Sequence, residues 1–149
     1  MKKLLLALLG ICCGASLFAA VGSTTPQGWY DDFAEAQKEA VKTGRPILAL
    51  FTGSDWCPGC IALNEYALSK PEFMEFAKKN LVLLYMDSPR YAKQSAKERA
   101  TVDKVNRKLD PGPYIPATVL VSSDGRILER MVGAFPAKEY IKKIQSAIK

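Results

Sequence analysis

The residues best suited to chemistry are two cysteines, Cys57 and Cys60, in the run W-C-P-G-C that begins at Trp56. A thiolate attacks disulfides and binds metals, so a C-x-x-C pair is typical of a redox centre, a structural bridge or half of a metal site. A bridge over two residues constrains little chain and stabilises a fold little. A zinc or copper site needs more ligands, and the chain has no histidine. Disulfide exchange is therefore favoured, with no metal and no other cofactor expected.

The pair falls where a predicted strand turns into a predicted helix. Residues 47–51 are a continuous apolar run, which is typical of a central strand buried on both faces. Apolar residues at helical spacing follow the second cysteine. Cys57 is thus expected at the exposed end of a helix N-terminus, which favours a thiolate, with Cys60 one turn further on beneath it. Asp55 is expected to oppose ionisation, so we predict a mildly activated Cys57.

The flanking sequence predicts the other elements. Asp32 and Glu35 form a capping pattern for a first helix that ends at Gly44, and Ser69 and Glu72 form a second pattern where the next helix restarts. Further strands are predicted at 81–86, 117–121 and 127–132, with helices at 92–109 and from Pro136, where Ile141, Ile144 and Ile148 share a face. This order predicts an α/β fold whose mixed central sheet is flanked by helices on both faces.

The strand, the W-C-P-G-C helix, and a later Ile115-Pro116 before a strand hairpin and a final helix resemble the thioredoxin superfamily over residues 29–149. The stretch F-T-G-S-D-W-C that ends at Cys57 is similar to small exported thioredoxin-like proteins of bacterial envelopes. The resemblance implies a thioredoxin fold in which Cys57 is the nucleophile and Cys60 resolves the mixed disulfide. It also implies that Pro116 is a cis-proline facing the pair, with the backbone of Ile115 binding substrate. Trp56, beside the nucleophile, is expected to pack in the core, contact substrate, or do both.

Two departures from the thioredoxin pattern affect the expected chemistry. Thioredoxins carry a buried acid about six residues before the first cysteine, where this chain has Leu50 and Phe51, so proton handling at Cys60 is unexplained. Ala117 follows Pro116 where a threonine is common, which is expected to alter the substrate groove. Asp87, after a predicted strand, is interpreted as a cap or turn residue rather than a catalytic base.

The N-terminus has the layout of a secretory signal. Two lysines precede an apolar run at 4–18 and then small residues, so we predict a signal peptide over 1–20, cleaved near Ala19 to Gly22. A single domain over 21–149 would remain, located in the periplasm.

Two alternatives to a cleaved signal remain open. An uncleaved segment would act as a membrane anchor, although the apolar stretch, about 17 residues when counted through Ala20, falls short of the roughly 20 that span comfortably. Lipidation at Cys12 or Cys13 would make a lipoprotein, although Ile11 is bulky where a small residue should precede the lipidated cysteine.

Composition narrows the choice of partners. The net charge is +6, and the lysines are dispersed without interleaved aromatic residues, so no nucleic-acid surface is expected. We expect a monomer that exchanges disulfides with exported cysteine-containing proteins, as a reductase or isomerase. A membrane thiol-disulfide electron donor or acceptor would recharge it, because no nicotinamide or flavin motif is present. The alternative is a non-catalytic binding module that uses the groove near Pro116.

Overall fold

The computed structural model describes residues 25–149, which build one mixed sheet with helices on both faces. The elements are α1 (Phe33–Thr43), β1 (Ile47–Thr52), α2 (Pro58–Leu63), a π-helical turn (Asn64–Leu68), α3 (Pro71–Asn80), β2 (Val82–Asp87), α4 (Ala96–Leu109), β3 (Ala117–Val121), β4 (Ile127–Val132) and α5 (Ala137–Ala147). The predicted signal peptide and its two alternatives lie outside the described residues. Within the described part, no helix combines the length and apolarity needed to cross a membrane.

The sheet has the order β2-β1-β3-β4, with β1 parallel to β2 and the other pairs antiparallel. All six residues of β1 are buried, so the predicted central strand is confirmed. Thr52 at the end of β1 is in register with Asp87 at the end of β2. The loops that follow β1 and β2 therefore begin side by side at the same end of the two strands.

Two apolar cores lie on opposite faces of the sheet, as the predicted layering requires. Leu48 and Leu50 pack with Phe73 of α3 on one face. Ile47 and Ala49, which alternate with them along β1, pack on the other face with the buried residues of α1 and α4. Since successive strand residues point to opposite faces, an uninterrupted apolar strand is needed to supply both cores.

The two edges of the sheet differ. At the β2 edge, the N–H of Tyr30 donates to Leu83 O and Tyr30 O accepts from the N–H of Tyr85, both at 2.8 Å, which covers part of that strand. The other edge is β4, which pairs only with β3 among the described residues. It carries charged side chains at Glu129 and Arg130, and its register with β3 shifts between Leu120 and Val121.

One predicted helix start is confirmed and one capping prediction is wrong. Asp32 caps α1 by accepting from the N–H groups of Ala34 and Glu35, and Gly44 ends that helix in the left-handed conformation. The second helix does restart, at Pro71, but without a capping box. The Ser69 hydroxyl instead donates to Asn64 O at 2.7 Å, because the preceding π-helical turn leaves that carbonyl within its reach.

The boundaries of α4 and the buried face of α5 also differ from the prediction. Helix α4 begins at Ala96 rather than at residue 92, because Ser95 and Glu98 form a reciprocal capping box one turn later. On α5, Ile144 is fully buried as predicted, but Ile148 is 36% exposed and Tyr140 takes a buried position that the isoleucine spacing did not indicate.

Replacing Tyr140 by phenylalanine should lower the free energy of unfolding by about 1 to 2 kcal/mol. The Tyr140 hydroxyl is 2.5 Å from the Thr118 hydroxyl, both side chains are buried, and burial raises the pKa of Tyr140 above its ordinary value. Tyr140→Phe leaves the Thr118 hydroxyl without this partner. Urea unfolding gives the measurement, with exposed Tyr66→Phe as the matched control. Equal stability of the Tyr140 variant and the wild type would contradict this account.

Candidate active site

The cysteine pair lies at the junction of β1 and α2, as predicted. Cys57 is the residue before α2 and is disulfide-bonded to Cys60, with the two Cα atoms 5.2 Å apart. Its sulfur accepts a hydrogen bond from the N–H of Cys60 at 3.2 Å. Pro58 fits the first helical position because its missing N–H would have no partner within the helix there. The local sequence thus places the Cys57 sulfur at the helix start.

The expected exposure of Cys57 is not found. Cys57 is 6% exposed and Cys60 is 4% exposed, so both residues are buried in the disulfide form. The neighbouring Pro58 is exposed, and the loop that carries Ile115 covers the other side of the sulfur. The two cysteines therefore differ in their neighbours rather than in their solvent exposure.

Ile115 and Pro116 lie opposite the pair. The Ile115–Pro116 peptide bond is cis, as the resemblance implied, and Ile115 O is 3.9 Å from Cys57 Sγ. A Cβ added to Gly59 would lie 3.2 Å from Pro116 Cδ, so the glycine allows the close approach of this loop to α2. The structure thus brings the predicted site residues together, and the contacts of Ile115 and Pro116 with substrate remain a prediction.

Gly53, which the sequence analysis did not single out, contacts both cysteines through its backbone. Its carbonyl accepts hydrogen bonds from the N–H groups of Cys57 at 3.0 Å and Trp56 at 3.3 Å. Its N–H donates to Cys60 Sγ at 3.4 Å. A turn at Gly53 therefore holds the start of α2 and supplies a hydrogen-bond donor to the inner sulfur.

Asp87 holds this turn from the neighbouring strand. The carboxylate is 3% exposed and accepts from the Ser54 N–H at 3.0 Å and the Ser54 hydroxyl at 2.5 Å. Asp87 therefore stabilises a turn, as predicted, but this turn is the one that follows β1 and not the one that follows Asp87 itself. Burial raises the pKa of Tyr85, the Asp87 carboxylate raises it further, and the Ser54 hydroxyl lowers it. Tyr85, Asp87 and Gln94 line part of a cavity of about 340 Å³.

Trp56 folds back onto the Gly53 turn. A Cβ added to Gly53 would lie 2.6 Å from atoms of the Trp56 indole, so only glycine leaves room for the ring. The indole N–H donates to Ser88 O at 2.8 Å, and the Arg90 guanidinium lies 4.2 Å from the ring centroid. The packing role predicted for Trp56 is thus present, and its contact with substrate remains a prediction.

Asp55 fastens the loop that follows β2. Its carboxylate accepts from the N–H groups of Arg90, Tyr91 and Ala92 at 2.8, 2.8 and 2.7 Å. These hydrogen bonds, led by that from Arg90, hold the pKa of Asp55 below its ordinary value. Asp55 therefore stays ionised, and its expected opposition to ionisation of Cys57 remains a prediction.

Replacing Asp55 by alanine should speed hydrogen exchange at the amides of Arg90, Tyr91 and Ala92 while leaving the sheet amides protected. Because the pKa of Asp55 is lowered in the folded protein, its ionised carboxylate stabilises the attached loop at pH values above the unfolded-state pKa of about 3.9. This stabilisation is lost as the pH falls through the lower pKa of the folded state. Exchange measured by NMR on Asp55→Ala, with exposed Asp103→Ala as control, tests this. Unchanged protection at the three amides would show that other contacts hold the loop.

The part of the chain that the structure describes contains no group of three or more His, Cys, Asp or Glu side chains placed to hold a metal ion.

A family model described as a thioredoxin-like domain matches residues 33–148. Among curated proteins, the chain is 30% identical over 122 residues to the disulfide bond reductase DsbH of Chlamydia pneumoniae, covering 80% of this chain and 72% of that protein. It is also 25% identical over 109 residues to the thioredoxin-related protein DsbJ of the same organism, covering 72% of this chain and 30% of DsbJ.

Solved structures agree on the fold. A DsbH oxidoreductase superimposes with a TM-score of 0.71 at 27% identity, covering 87% of this chain and 92% of that chain. A thioredoxin from Thermus thermophilus superimposes with a TM-score of 0.62 at 22% identity, covering 80% and 85%. The predicted α/β architecture with a mixed sheet is therefore confirmed.

Proposed function

Because the chain belongs to the thioredoxin-like family of thiol-disulfide oxidoreductases, we propose that it reduces or isomerises disulfides of exported proteins in a bacterial envelope. The observation that carries this proposal is the Cys57–Cys60 disulfide at the start of α2, facing Ile115 across 3.9 Å. Thiol-disulfide exchange needs a sulfur that is activated and can be reached by a second sulfur in line. The start of α2, with Ile115 O facing Cys57, provides the activating position.

In the reducing direction, the Cys57 thiolate attacks one sulfur of a substrate disulfide. The other substrate sulfur leaves as a thiolate and takes a proton from solvent. The Cys60 thiolate then attacks Cys57 Sγ and releases the first substrate sulfur as a thiolate, which is protonated in turn. Two electrons reach the substrate, and the protein is left with the Cys57–Cys60 disulfide that the structure holds.

The contacts around the sulfurs suit these roles. The Cys60 N–H at 3.2 Å would stabilise a Cys57 thiolate, and the Gly53 N–H at 3.4 Å would stabilise a Cys60 thiolate. We assign substrate contact to Ile115 and Pro116, whose loop faces Cys57, and to Trp56. Chain atoms of a substrate lying along Ile115 would bring its sulfur toward Cys57.

One relative supports the direction of disulfide exchange, and the predicted signal peptide supports the location of the protein. DsbH is named a disulfide bond reductase, which supports the reducing direction for this chain. The predicted signal peptide supports export to the periplasm, where exported cysteine-containing proteins are the substrates. A membrane thiol-disulfide donor would return electrons to the pair.

The test is turnover of insulin disulfides by the mature protein with dithiothreitol as reductant, together with the reduction potential of the pair in glutathione buffers. We expect accelerated reduction and a potential well below the roughly −120 mV of a strong oxidant. Binding of unfolded protein without any acceleration would support the binding-module alternative instead. Cell fractionation with the natural N-terminus tests the periplasmic location, and recovery of the protein in the cytoplasm would overturn it.

A further inference from the structure

The loop at residues 88–92, here called the mouth loop, is fastened to the residues just before Cys57. Its first residue donates from Ser88 N to Thr52 O at 2.9 Å and accepts the Trp56 indole N–H through Ser88 O. Its later N–H groups are held by Asp55. Hydrogen bonds to its backbone thus hold the mouth loop beside the active site. They also fix the positions from which its side chains project.

Arg90 of the mouth loop is a cation without a counter-charge. Its guanidinium stacks on Trp56, is exposed, and has no carboxylate within ion-pair distance among residues 25–149. The Asp55 carboxylate contacts the backbone N–H of Arg90 rather than its guanidinium. The same carboxylate accepts two further backbone N–H groups. An arginine held over an aromatic ring keeps outward N–H donors available for a planar anion and loses little further side-chain freedom on binding.

Exposed aromatic residues are the sequence neighbours of Arg90 and Ile115. Tyr91, next to Arg90, is 76% exposed, and Tyr114, next to Ile115, is 71% exposed. Tyrosine, tryptophan and arginine are the residue types that contribute most to binding at protein interfaces. The mouth loop therefore presents one positive charge and one exposed aromatic side chain next to Trp56, and it contains no acidic residue.

We infer that Arg90 is a specificity residue that selects polypeptide substrates with a carboxylate close to the reactive cysteine. This inference rests on the proposed function, since it concerns the substrate that meets Cys57. The guanidinium would pair with an Asp or Glu side chain of the bound segment while the substrate sulfur reaches Cys57. An exposed pair of this kind contributes a few-fold preference and weakens as salt screens the charges.

The experiment compares two disulfide-linked peptides that differ only in Glu or Gln beside the cysteine. At low salt, the wild type should reduce the Glu peptide with a kcat/KM about 3- to 10-fold higher than the Gln peptide, and about 0.5 M NaCl should bring the ratio close to one. Arg90→Gln should have a ratio near one at all salt concentrations. Arg90→Glu should favour a third peptide with Lys at that position.

Arg107→Gln provides the matched control, because it removes an exposed arginine from α4 and should keep the wild-type ratio. A wild type that reduces both peptides equally, or an Arg90→Gln variant that keeps the preference, would overturn the inference and leave the proposed function intact. A wild type that reduces neither peptide, nor insulin, would overturn both. Circular dichroism melting of the Arg90 variants checks that altered ratios come from folded protein.

Discussion

Cells expressing Cys60→Ser should accumulate covalent mixed disulfides with exported proteins, whereas Cys57→Ser should form none and should reduce insulin no faster than buffer. Cys57 receives the N–H of Cys60 at the start of α2 and faces Ile115 O, so we assign the attack on the substrate to its sulfur. Without Cys60, the adduct on Cys57 has no internal thiol to release it.

The measurement uses acid quenching, alkylation of free thiols, and non-reducing gels beside reducing gels, with each variant carrying its natural N-terminus. Bands that appear only with Cys60→Ser and vanish on reduction give the expected result, and mass spectrometry of those bands identifies the substrates or the membrane donor. The double variant Cys57→Ser/Cys60→Ser is the control for adducts that do not involve the pair. Adducts formed by Cys57→Ser but not by Cys60→Ser would reverse the two roles.

Replacing Asp87 by alanine should lower the free energy of unfolding by about 2 to 3 kcal/mol and slow the release of mixed disulfides. The change leaves the partly buried N–H and hydroxyl of Ser54 without their acceptor. It also frees the turn whose Gly53 N–H donates to Cys60 Sγ, so the inner thiolate loses a positioned donor. Asp87 is thus a positioning residue that acts on Cys60 through Ser54 and Gly53.

Graded variants separate this effect from a loss of charge. Ser54→Ala removes one of the two hydrogen bonds and should cost about 1 kcal/mol, with a smaller change in release rate. Asp87→Asn keeps an acceptor for the Ser54 N–H, so it should behave more like Ser54→Ala than like Asp87→Ala. The measurements are urea unfolding of the oxidised protein and single-turnover release from a preformed adduct. If Asp87→Asn and Asp87→Ala slow release equally, the charge itself is responsible and the positioning role is wrong.

Local patterns predicted the elements that carry the cysteines. The apolar run at 47–51 indicated a strand buried on both faces, and W-C-P-G-C indicated a helix start directly after it, because both features depend on neighbours in sequence. The resemblance added the cis bond before Pro116, which nearby residues alone do not require. The strand and the helix start thus follow from short stretches of chain.

The support behind the cysteines depends on residues far apart in sequence. Ser54 and Asp87 are 33 residues apart and meet only because parallel pairing puts Thr52 beside Asp87. The stacking of Arg90 on Trp56 has the same origin, since it follows from the loops that leave the two strands at one edge. No local spacing indicates such contacts, which is why the Asp87 support and the mouth loop were missing from the predicted site.

Strand β4 is an unpaired edge of the sheet within residues 25–149, and this has a consequence for self-association. Unpaired edge strands can template the addition of strands from other copies, which leads to aggregates. Here Glu129 and Arg130 place charges on the edge strand, and the Arg130 side chain is tied to Leu109 O at 3.1 Å and Asp110 O at 2.7 Å. The register shift opposite Leu120 and Val121 breaks the regular ladder at its far end. An incoming strand would have to bury these charges and match an irregular edge, so the strand resists edge-to-edge polymerisation when the protein is concentrated.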